Sequence, residues 1–456
     1  MPNPINPPLT FKEKVAYGLG DSASNFLYQF LSFFGLNYYT DIFGLGPAEV
    51  GTMILMARML DAVVDPMIGI TADRTQTRWG KFRPYLLWGA LPYGIIGYVT
   101  FMNPAIPAGG KLLYAYVTYS LTWFVYSAIN IPYSALMGVM SPSSAERKSI
   151  SSVRFTCAFI ATFFIITYLV PLKNWLGHGN DAEGIRWTIL LFSGASVILF
   201  WLCFAGTRER VASPRAGTKL LTELRDLSRN PSWIVLFVLG LVLLSSIATR
   251  NAAMVYYFKY VAGAESKFSL FTGWGFGAFI LGSALTKYFL RLGESRNVLV
   301  GLYIVVGALQ TAFYFVDPHH FAAIQALNIA SNFFAGPQPA LLWAMYSDCA
   351  AFGEWKFGRR STGLVFSSAV FSQKAGAAFG GAIAGWLLAY FGFVANRPQT
   401  PAAAHGILLL FTIIPGALAI LSGVLVLLYP LRDEVMNAVE RDLEQRAPAP
   451  AGSSPG

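Results

Sequence analysis

Three charged residues, Arg58, Asp61 and Asp65, interrupt an otherwise apolar stretch of this sequence. Their i, i+3, i+7 spacing places all three on one side of an α-helix. A charged side chain deep in a bilayer costs about 2.5–3.5 kcal/mol on insertion scales, so such residues are usually paired and functional. Carboxylate oxygens can hold a proton or coordinate a hard cation such as Na⁺. We predict a cation site at Asp61 and Asp65; the alternative is an Arg58–Asp61 ion pair that only tethers helices.

Lys374 is the basic residue that we expect to meet these carboxylates. It lies in Ser372-Gln373-Lys374-Ala375-Gly376, too deep in its predicted helix for the ammonium group to reach the interface easily. A buried lysine could neutralise the carboxylates while the cation is absent and release them when it binds. A permanent interhelical salt bridge is the alternative.

Two further predicted helices carry a polar stripe at helical spacing. The stripes consist of Asp21, Asn25 and Gln29 on the first helix and Trp123, Ser127, Asn130 and Ser134 on the fourth. Amides and hydroxyls bind polyols by directional hydrogen bonds, and Trp123 or Tyr126 could supply an apolar face for a sugar ring. Arg154 could reach the same cavity, or its side chain could extend to the membrane surface. The stripes indicate a sugar site; ordinary interhelical hydrogen bonding is the alternative.

The composition indicates the elements that must position these residues. Of 456 residues, 55% are hydrophobic and 12% charged, with a mean hydropathy of +0.51, whereas soluble domains carry about 25% charged residues. A spanning helix needs about 20 mostly apolar residues. We therefore predict an all-α membrane protein with spans near 15–40, 48–72, 84–103, 112–139, 150–171, 186–206, 231–260, 268–290, 297–316, 321–346, 362–392 and 406–430.

The distribution of basic residues predicts the orientation. Most of the 33 Lys and Arg residues follow even-numbered spans or lie at the termini, whereas the opposite loops carry only Lys111, Lys173, Arg186, Lys267 and Arg397. By the positive-inside rule both termini are cytoplasmic. The net charge of +10 is explained in this way and does not indicate a nucleic-acid partner. We expect a functional monomer in a bacterial inner membrane.

The polar stretch between the sixth and seventh spans divides the chain into two halves. We predict a six-helix bundle at 12–206, a cytoplasmic linker at 207–230, a second six-helix bundle at 231–432, and a largely disordered cytoplasmic tail at 433–456. The three cysteines lack the spacing of a disulfide framework or a zinc site. The absence of a Walker-type phosphate loop, an H-E-x-x-H motif and a nucleophile elbow argues against an ATP-driven pump or an enzyme, and no cofactor is expected beyond a coupling ion.

Several uncommon motifs occur in a characteristic order along the chain. They are Tyr17-Gly18-Leu19-Gly20-Asp21, Tyr38-Tyr39-Thr40-Asp41, Asp61-Ala62-Val63-Val64-Asp65-Pro66, Arg78-Trp79-Gly80-Lys81-Phe82-Arg83-Pro84, Asn130-Ile131-Pro132-Tyr133, Ser347-Asp348, Phe352-Gly353-Glu354-Trp355 and Lys374. Between about residues 12 and 435 the sequence resembles the glycoside-pentoside-hexuronide:cation symporters of the major facilitator superfamily, the melibiose permease-like family.

The resemblance implies a fold of two six-helix bundles and transport of a sugar with a cation by alternating access. It implies a cation site at Asp61, Asp65, Ser127 and Lys374, with Na⁺ as one candidate ion at the two aspartates, and a sugar site at Asn25, Asn130 and Arg154. We add Asp21, Gln29, Trp123, Tyr126 and Gln373 as candidate substrate-binding residues. We expect a cytoplasmic gate in the segments 74–83 and 348–360, with Asp73, Arg78, Lys81, Arg83, Asp348 and Glu354 as its charged members.

The sequence departs from melibiose-type members at both sugar anchors. Those members have acidic residues where this chain has Asn25 and Asn130. A uronide or another glycoside is therefore admissible as substrate, and a proton is favoured over Na⁺ as the coupled ion. An uncoupled sugar facilitator and a non-transporting sugar sensor are the alternatives.

Overall fold

The computed structural model describes residues 9–141, 143–210, 225, 227–358 and 362–446, and within these ranges the chain is helical and forms no strand. The first half contains six long helices, whose bounds follow the apolar runs. They are α1 (Phe11–Asn37), α2 (Pro47–Arg74), α3 (Arg83–Thr100), α4 (Ala108–Met140), α5 (Ser144–Gly177) and α6 (Asp181–Gly206), with a π-helix at Tyr38–Ile42.

Side-chain caps fix the starts of these helices. The Thr10 hydroxyl accepts a hydrogen bond from the Glu13 N–H, and the Glu13 carboxylate accepts one from the Thr10 N–H, which forms a capping box at α1. The Asn180 side chain accepts hydrogen bonds from two N–H groups at the start of α6. Each cap satisfies backbone donors that a helix leaves without a partner.

In the first half, α1 packs against α5 and α6, α3 against α4 and α6, and α2 against α4. Tyr17 and Tyr133 join α1 to α4: each tyrosine hydroxyl donates to the other residue's carbonyl, at 3.1 and 2.8 Å, and their rings stack with centroids 4.6 Å apart. These contacts fix the position of the polar face of α1.

The second half of the chain contains more and shorter helices than the first half. It contains α7 (Pro231–Tyr256), α8 (Phe268–Ala284), α9 (Thr286–Phe289), α10 (Ser295–Ala312), α11 (Phe321–Ala335), α12 (Gln338–Phe357), α13 (Thr362–Tyr390), α14 (Pro401–Phe411), α15 (Ile413–Leu427) and α16 (Asp433–Arg446). A π-helix at Tyr257–Val261 and 3₁₀ turns at Glu265–Lys267, Leu290–Leu292 and Phe313–Phe315 connect them.

The chain divides into two compact units. The first comprises Met1–Arg215, Ala248–Trp274 and Ala378–Phe411, and the second comprises Ala216–Ile247, Gly275–Ala377 and Thr412–Gly456. In the first unit, parts of the later helices pack on the first half of the chain, for example through an ion pair of 2.6 Å between Lys259 and Asp41. In the second unit, α10 packs against α11 and α15, and a core that includes Leu236, Tyr303 and Tyr346 is buried.

Each predicted span coincides with helical structure. By length and hydropathy alone, six helices in the described ranges could cross a membrane, or seven if the bent pair Glu265–Ala284 and Thr286–Leu292 counts as one span. These six do not include α1 or α2. Asp21 lies on α1, and Arg58, Asp61 and Asp65 lie on α2. Charges lower the hydropathy of a segment.

Three predicted segments differ from the structure. The tenth span, predicted to end at 346, continues after a break between Ala335 and Gln338 as α12 to Phe357, so most of the predicted gate loop 348–360 is helical. The twelfth span is interrupted at Thr412. The tail at 433–456 is predicted to be largely disordered, but Asp433–Arg446 forms α16, because Met436 and Val439 are buried in the core of the second unit; residues 447–456 lie outside the described ranges.

Candidate functional site

Asp61 lies in a closed polar cluster between α2 and α4. The Ser127 hydroxyl donates to Asp61 Oδ1 at 2.7 Å, and Arg58 Nη1 lies 3.9 Å from Asp61 Oδ2. The guanidinium group of Arg58 in turn lies over the ring of Trp123. The ionised carboxylate therefore has a charged partner and a hydrogen-bond donor, which can compensate its desolvation.

Asp65 lies one helical turn beyond Asp61 on α2, and its side chain is partly exposed. The described residues include no group of three or more His, Cys, Asp or Glu side chains arranged for a metal ion. The oxygens in this region come from two carboxylates and the Ser127 hydroxyl, a set compatible with either a proton or a weakly bound monovalent cation.

A second polar cluster joins α1 to α5. Arg154 Nε donates to Asp21 Oδ2 at 2.9 Å, and Arg154 Nη2 lies 3.5 Å from Asp21 Oδ1. Gln29 Nε2 donates to Asn25 Oδ1 and to Thr162 Oγ1, both at 3.1 Å. Asp21 and Gln29 are eight residues apart on α1, and so are their partners Arg154 and Thr162 on α5, so the polar side chains of the two helices face each other in register.

The amide of Asn25 has a fixed orientation within this cluster. Its Oδ1 accepts from Gln29 and from Thr162 (3.3 Å), and its Nδ2 donates to the Asp21 carbonyl at 2.9 Å. The structure thus brings Asp21, Asn25, Gln29 and Arg154 together in one cluster.

The predicted residues of α4 divide between the two clusters. Asn130 Oδ1 accepts from the Ser24 hydroxyl at 3.1 Å, which joins it to α1. Tyr126 stacks on Tyr28 with ring centroids 5.9 Å apart. Trp123 is buried and packs against Arg58, so Tyr126 is the better candidate for the predicted sugar-facing aromatic.

Gln373 and Lys374 lie on α13 within the second unit, and both side chains are partly exposed. The pairing of Lys374 with the α2 carboxylates remains a prediction.

The predicted gate contains an internal anion site. The carboxylate of Glu209 accepts backbone hydrogen bonds from Lys81, Phe82 and Arg83 at 2.9, 2.7 and 3.0 Å, at the start of α3. Helix N-termini favour anions because their N–H groups lack partners. Gly80 has a φ of +108°, and a Cβ there would lie 2.4 Å from this carboxylate, so glycine is required.

The charged gate residues have different environments. Arg83 Nη2 donates to the Phe204 carbonyl at 2.8 Å, and the Arg78 guanidinium lies over the ring of Trp79. Asp348 and Glu354 lie on α12, within the second unit. The side chain of Asp73 lies outside the described part of the structure.

The sequence prediction missed Ser24, Tyr28, Thr162 and Glu209. Thr162 could have been found by applying to α5 the spacing that identified Asp21 and Gln29. Nothing in the sequence indicated Glu209, because its partners are backbone groups.

Known proteins are similar to this one over most of its sequence. The sequence profile of the family described as MFS/sugar transport protein matches residues 16–433. The putative glycoside/cation symporter YagG from Escherichia coli (strain K12) is 37% identical over 439 residues, which is 95% of each chain. The isoprimeverose transporter of Lactiplantibacillus pentosus is 31% identical over 441 residues, 96% of this chain and 92% of that protein.

Solved structures of other proteins share the fold of this chain. An inward-open structure of the xylose transporter XylE from E. coli matches with a TM-score of 0.63 and 11% identity, covering 94% of this chain and 98% of XylE. A profile match over most of the sequence, relatives above 30% identity and a shared helical architecture lead to one conclusion. The chain belongs to the MFS/sugar transport protein family, whose members are multi-pass membrane transporters and not enzymes.

Proposed function

We propose that this protein is a secondary active transporter that carries a glycoside, pentoside or hexuronide together with a cation by alternating access. The observation that carries the proposal is the pair of adjoining clusters: a carboxylate cluster at Asp61 and an amide-rich cluster at Asn25. One can bind an ion and the other a polyol. Relatives named as a glycoside/cation symporter and an isoprimeverose transporter support the same substrate class.

The sugar site in this proposal combines amides, a guanidinium group and an aromatic ring. Asn25, Gln29 and Asn130 supply donors and acceptors of fixed orientation, and Arg154 supplies a further donor. Tyr126 supplies the apolar face. Directional hydrogen bonds at a few positions within a mostly apolar pocket are typical of small-molecule sites.

The ion site in this proposal uses Asp61, Asp65 and Ser127. Binding of H⁺ or Na⁺ would neutralise the carboxylates, relieve their pairing with Lys374 and favour the conformation that binds sugar. Coupling then follows because each ligand binds one conformation better when the other is present, typically by 5- to 150-fold. A proton is favoured over Na⁺ because position 130 carries an amide and not a third carboxylate.

We further propose a bacterial inner-membrane location with both termini in the cytoplasm and a monomer as the functional unit. The loop charges support this orientation. The loop at Arg78–Arg83 and the end of α12 would then lie on the cytoplasmic side, where they would form the inner gate.

A ligand screen followed by transport assays tests the proposal. Purified protein is first screened by thermal shift against xylose, isoprimeverose, methyl β-glucoside and methyl β-glucuronide, with and without Na⁺ and at several pH values, since a ligand that binds the folded state raises its stability. The stabilising sugar is then assayed for uptake into proteoliposomes under an imposed pH gradient or Na⁺ gradient.

We expect one of the two gradients to drive accumulation. In Asp65→Asn we expect accumulation to be lost and sugar exchange to be kept, and Asp65→Glu serves as the charge-retaining control. Uptake that responds to neither gradient would contradict symport and favour an uncoupled facilitator. Stabilisation by a sugar without any uptake would favour a sensor.

A further inference from the structure

The Asp21–Arg154 ion pair lies beside the amide network and differs from the Arg58–Asp61 pair in its access to solvent. The side chains of Asp21 and Arg154 are 14% and 21% exposed, whereas those of Asp61 and Arg58 are 1% and 9% exposed. A proton that binds from water must reach its acceptor. Asp21 is therefore the more accessible of these two paired carboxylates.

Among the described residues of the first unit, Arg154 is the cation that contacts Asp21. The other titratable groups around Asp21 on the helices packed against α1 are neutral, apart from the Arg58–Asp61 pair of α2, which is already matched in charge. The titratable neighbours are Tyr17 on α1, Tyr126 and Tyr133 on α4, Arg154 and Cys157 on α5, and Cys203 on α6. The charge of Asp21 is thus compensated mainly by Arg154.

Arg154 is held beside the amide cluster through Asp21. Its Nε and Nη2 atoms engage the Asp21 carboxylate, and the Asn25 amide, on the next turn of α1, donates to the Asp21 backbone carbonyl. In the proposed sugar site the same guanidinium group donates to a sugar oxygen. Ionised Asp21 and a bound sugar would therefore compete for it.

We propose that Asp21 is a proton-binding site coupled to sugar binding through Arg154. Protonation removes the attraction between carboxylate and guanidinium, and Arg154 then donates to a sugar oxygen. The bound sugar in turn keeps Asp21 protonated, because coupling between two ligands is reciprocal. The inference rests on the proposed sugar transport, and it adds a proton site to the carboxylates of α2.

The measurement is the pH dependence of sugar affinity in the purified protein, using the sugar selected from the four probes named above. For the wild type we expect the Kd to be lowest at low pH and to rise by up to tenfold per pH unit as the pH increases. Sugar binding should also take up as much as one proton in weakly buffered solution. A wild-type Kd that is constant from pH 5 to 9, without proton uptake, would overturn the inference but leave gradient-driven uptake as a separate test of transport.

Variants assign the proton to its residue. In Asp21→Asn we expect tight sugar binding with a smaller pH dependence and less proton uptake than in the wild type, and in Asp21→Glu a pH dependence with a shifted midpoint. The exposed control Asp317→Asn should match the wild type in both measurements. A pH dependence and a proton uptake as large in Asp21→Asn as in the wild type would place the proton elsewhere. If Asp21→Asn does not fold, Asp21→Glu still decides the matter, because an unshifted midpoint in that variant would also place the proton elsewhere.

Discussion

Ser127 donates a 2.7 Å hydrogen bond to Asp61 and thereby ties α4 to the carboxylate of α2 inside the protein. A hydrogen bond to a charged group contributes about 1.5–3 kcal/mol. The hydroxyl thus compensates part of the desolvation of the Asp61 carboxylate and could also serve as an oxygen ligand for a cation.

Ser127→Ala should change the apparent affinity for the coupling ion by about tenfold or more. If the ion is Na⁺, the loss of an oxygen ligand weakens its binding. If the ion is a proton, the loss of a donor to the ionised carboxylate strengthens its binding. Sugar uptake measured against ion concentration distinguishes the two, with Ser127→Thr as the control that keeps the hydroxyl. An unchanged ion dependence would remove Ser127 from the ion site.

Glu209 should be needed for the order of the Arg78–Arg83 loop. In Glu209→Ala, three N–H groups at the start of α3 lose their acceptor, and at about 1 kcal/mol or more for each hydrogen bond we expect a lower Tm and slower transport. The exposed Glu434→Gln variant on α16 serves as a control. A Tm equal to that of the wild type would mean that water replaces the carboxylate at no cost.

The ion pair between Asp41 and Lys259 should stabilise the first compact unit, and the contributions of the two residues should be coupled. Lys259 Nζ lies 2.6 Å from Asp41 Oδ2, Tyr260 also donates to this carboxylate, and Asn396 Nδ2 donates to the Asp41 carbonyl. Removing either charge leaves the other buried or partly buried without its partner, so we expect Asp41→Asn and Lys259→Met each to cost about 1–3 kcal/mol.

A double-mutant cycle on thermal stability tests this coupling. The double variant should cost clearly less than the two single variants together. Additive losses would show that Asp41 and Lys259 contribute independently.

Glu146 should make the stability of the protein depend on pH. Hydrogen bonds from the Ser141 hydroxyl and the Leu9 N–H lower the pKa of the Glu146 carboxyl below its usual value. A depressed pKa stabilises the folded state above the unfolded-state pKa, about 4.3, and this contribution is lost as the pH falls through the lower folded-state pKa.

Glu146→Gln should therefore lower the Tm at pH 7, and its difference from the wild type should shrink below about pH 4. Tm profiles from pH 3 to 8 check this. Glu183→Gln, at an exposed i, i+3 ion pair, should show a much smaller effect. A difference in Tm between Glu146→Gln and the wild type that did not change with pH would mean that the carboxylate charge is not involved.

Gly51 and Gly385 allow α2 and α13 to approach closely in the first unit. A Cβ on Gly385 would lie 2.4 Å from the Pro47 carbonyl oxygen, and a Cβ on Gly51 would lie 2.9 Å from that of Ala382. We expect Gly385→Ala to lower the Tm, because overpacking typically costs about 1–3 kcal/mol. Gly194→Ala on α6 is the matched control, since no atom lies within 4 Å of its Cβ, and it should be neutral or slightly stabilising. Equal Tm values for the two variants would argue against the close crossing.

The sequence by itself determined the helices and the face on which each polar residue lies. In an apolar run of spanning length the backbone forms a helix, because its polar groups must bond to one another in lipid. The helical spacing then places Asp61 and Asp65 on one face of α2, and Asn25 and Gln29 on one face of α1. The resemblance to a known family further predicted that Ser127 of α4 lies in one site with the carboxylates of α2. Helix ends were less predictable, because α12 and α16 are held by packing in the second unit.

Only the tertiary structure decided which residues face one another across helices. Asp21 with Arg154, Thr162 with Gln29 and Asp41 with Lys259 are far apart in the chain, the last pair by 218 residues. The period of a helix fixes a direction, but the neighbour in that direction depends on how the whole bundle packs. Glu209 is the clearest case, since its partners are the N–H groups of Lys81, Phe82 and Arg83, which only the fold brings to it.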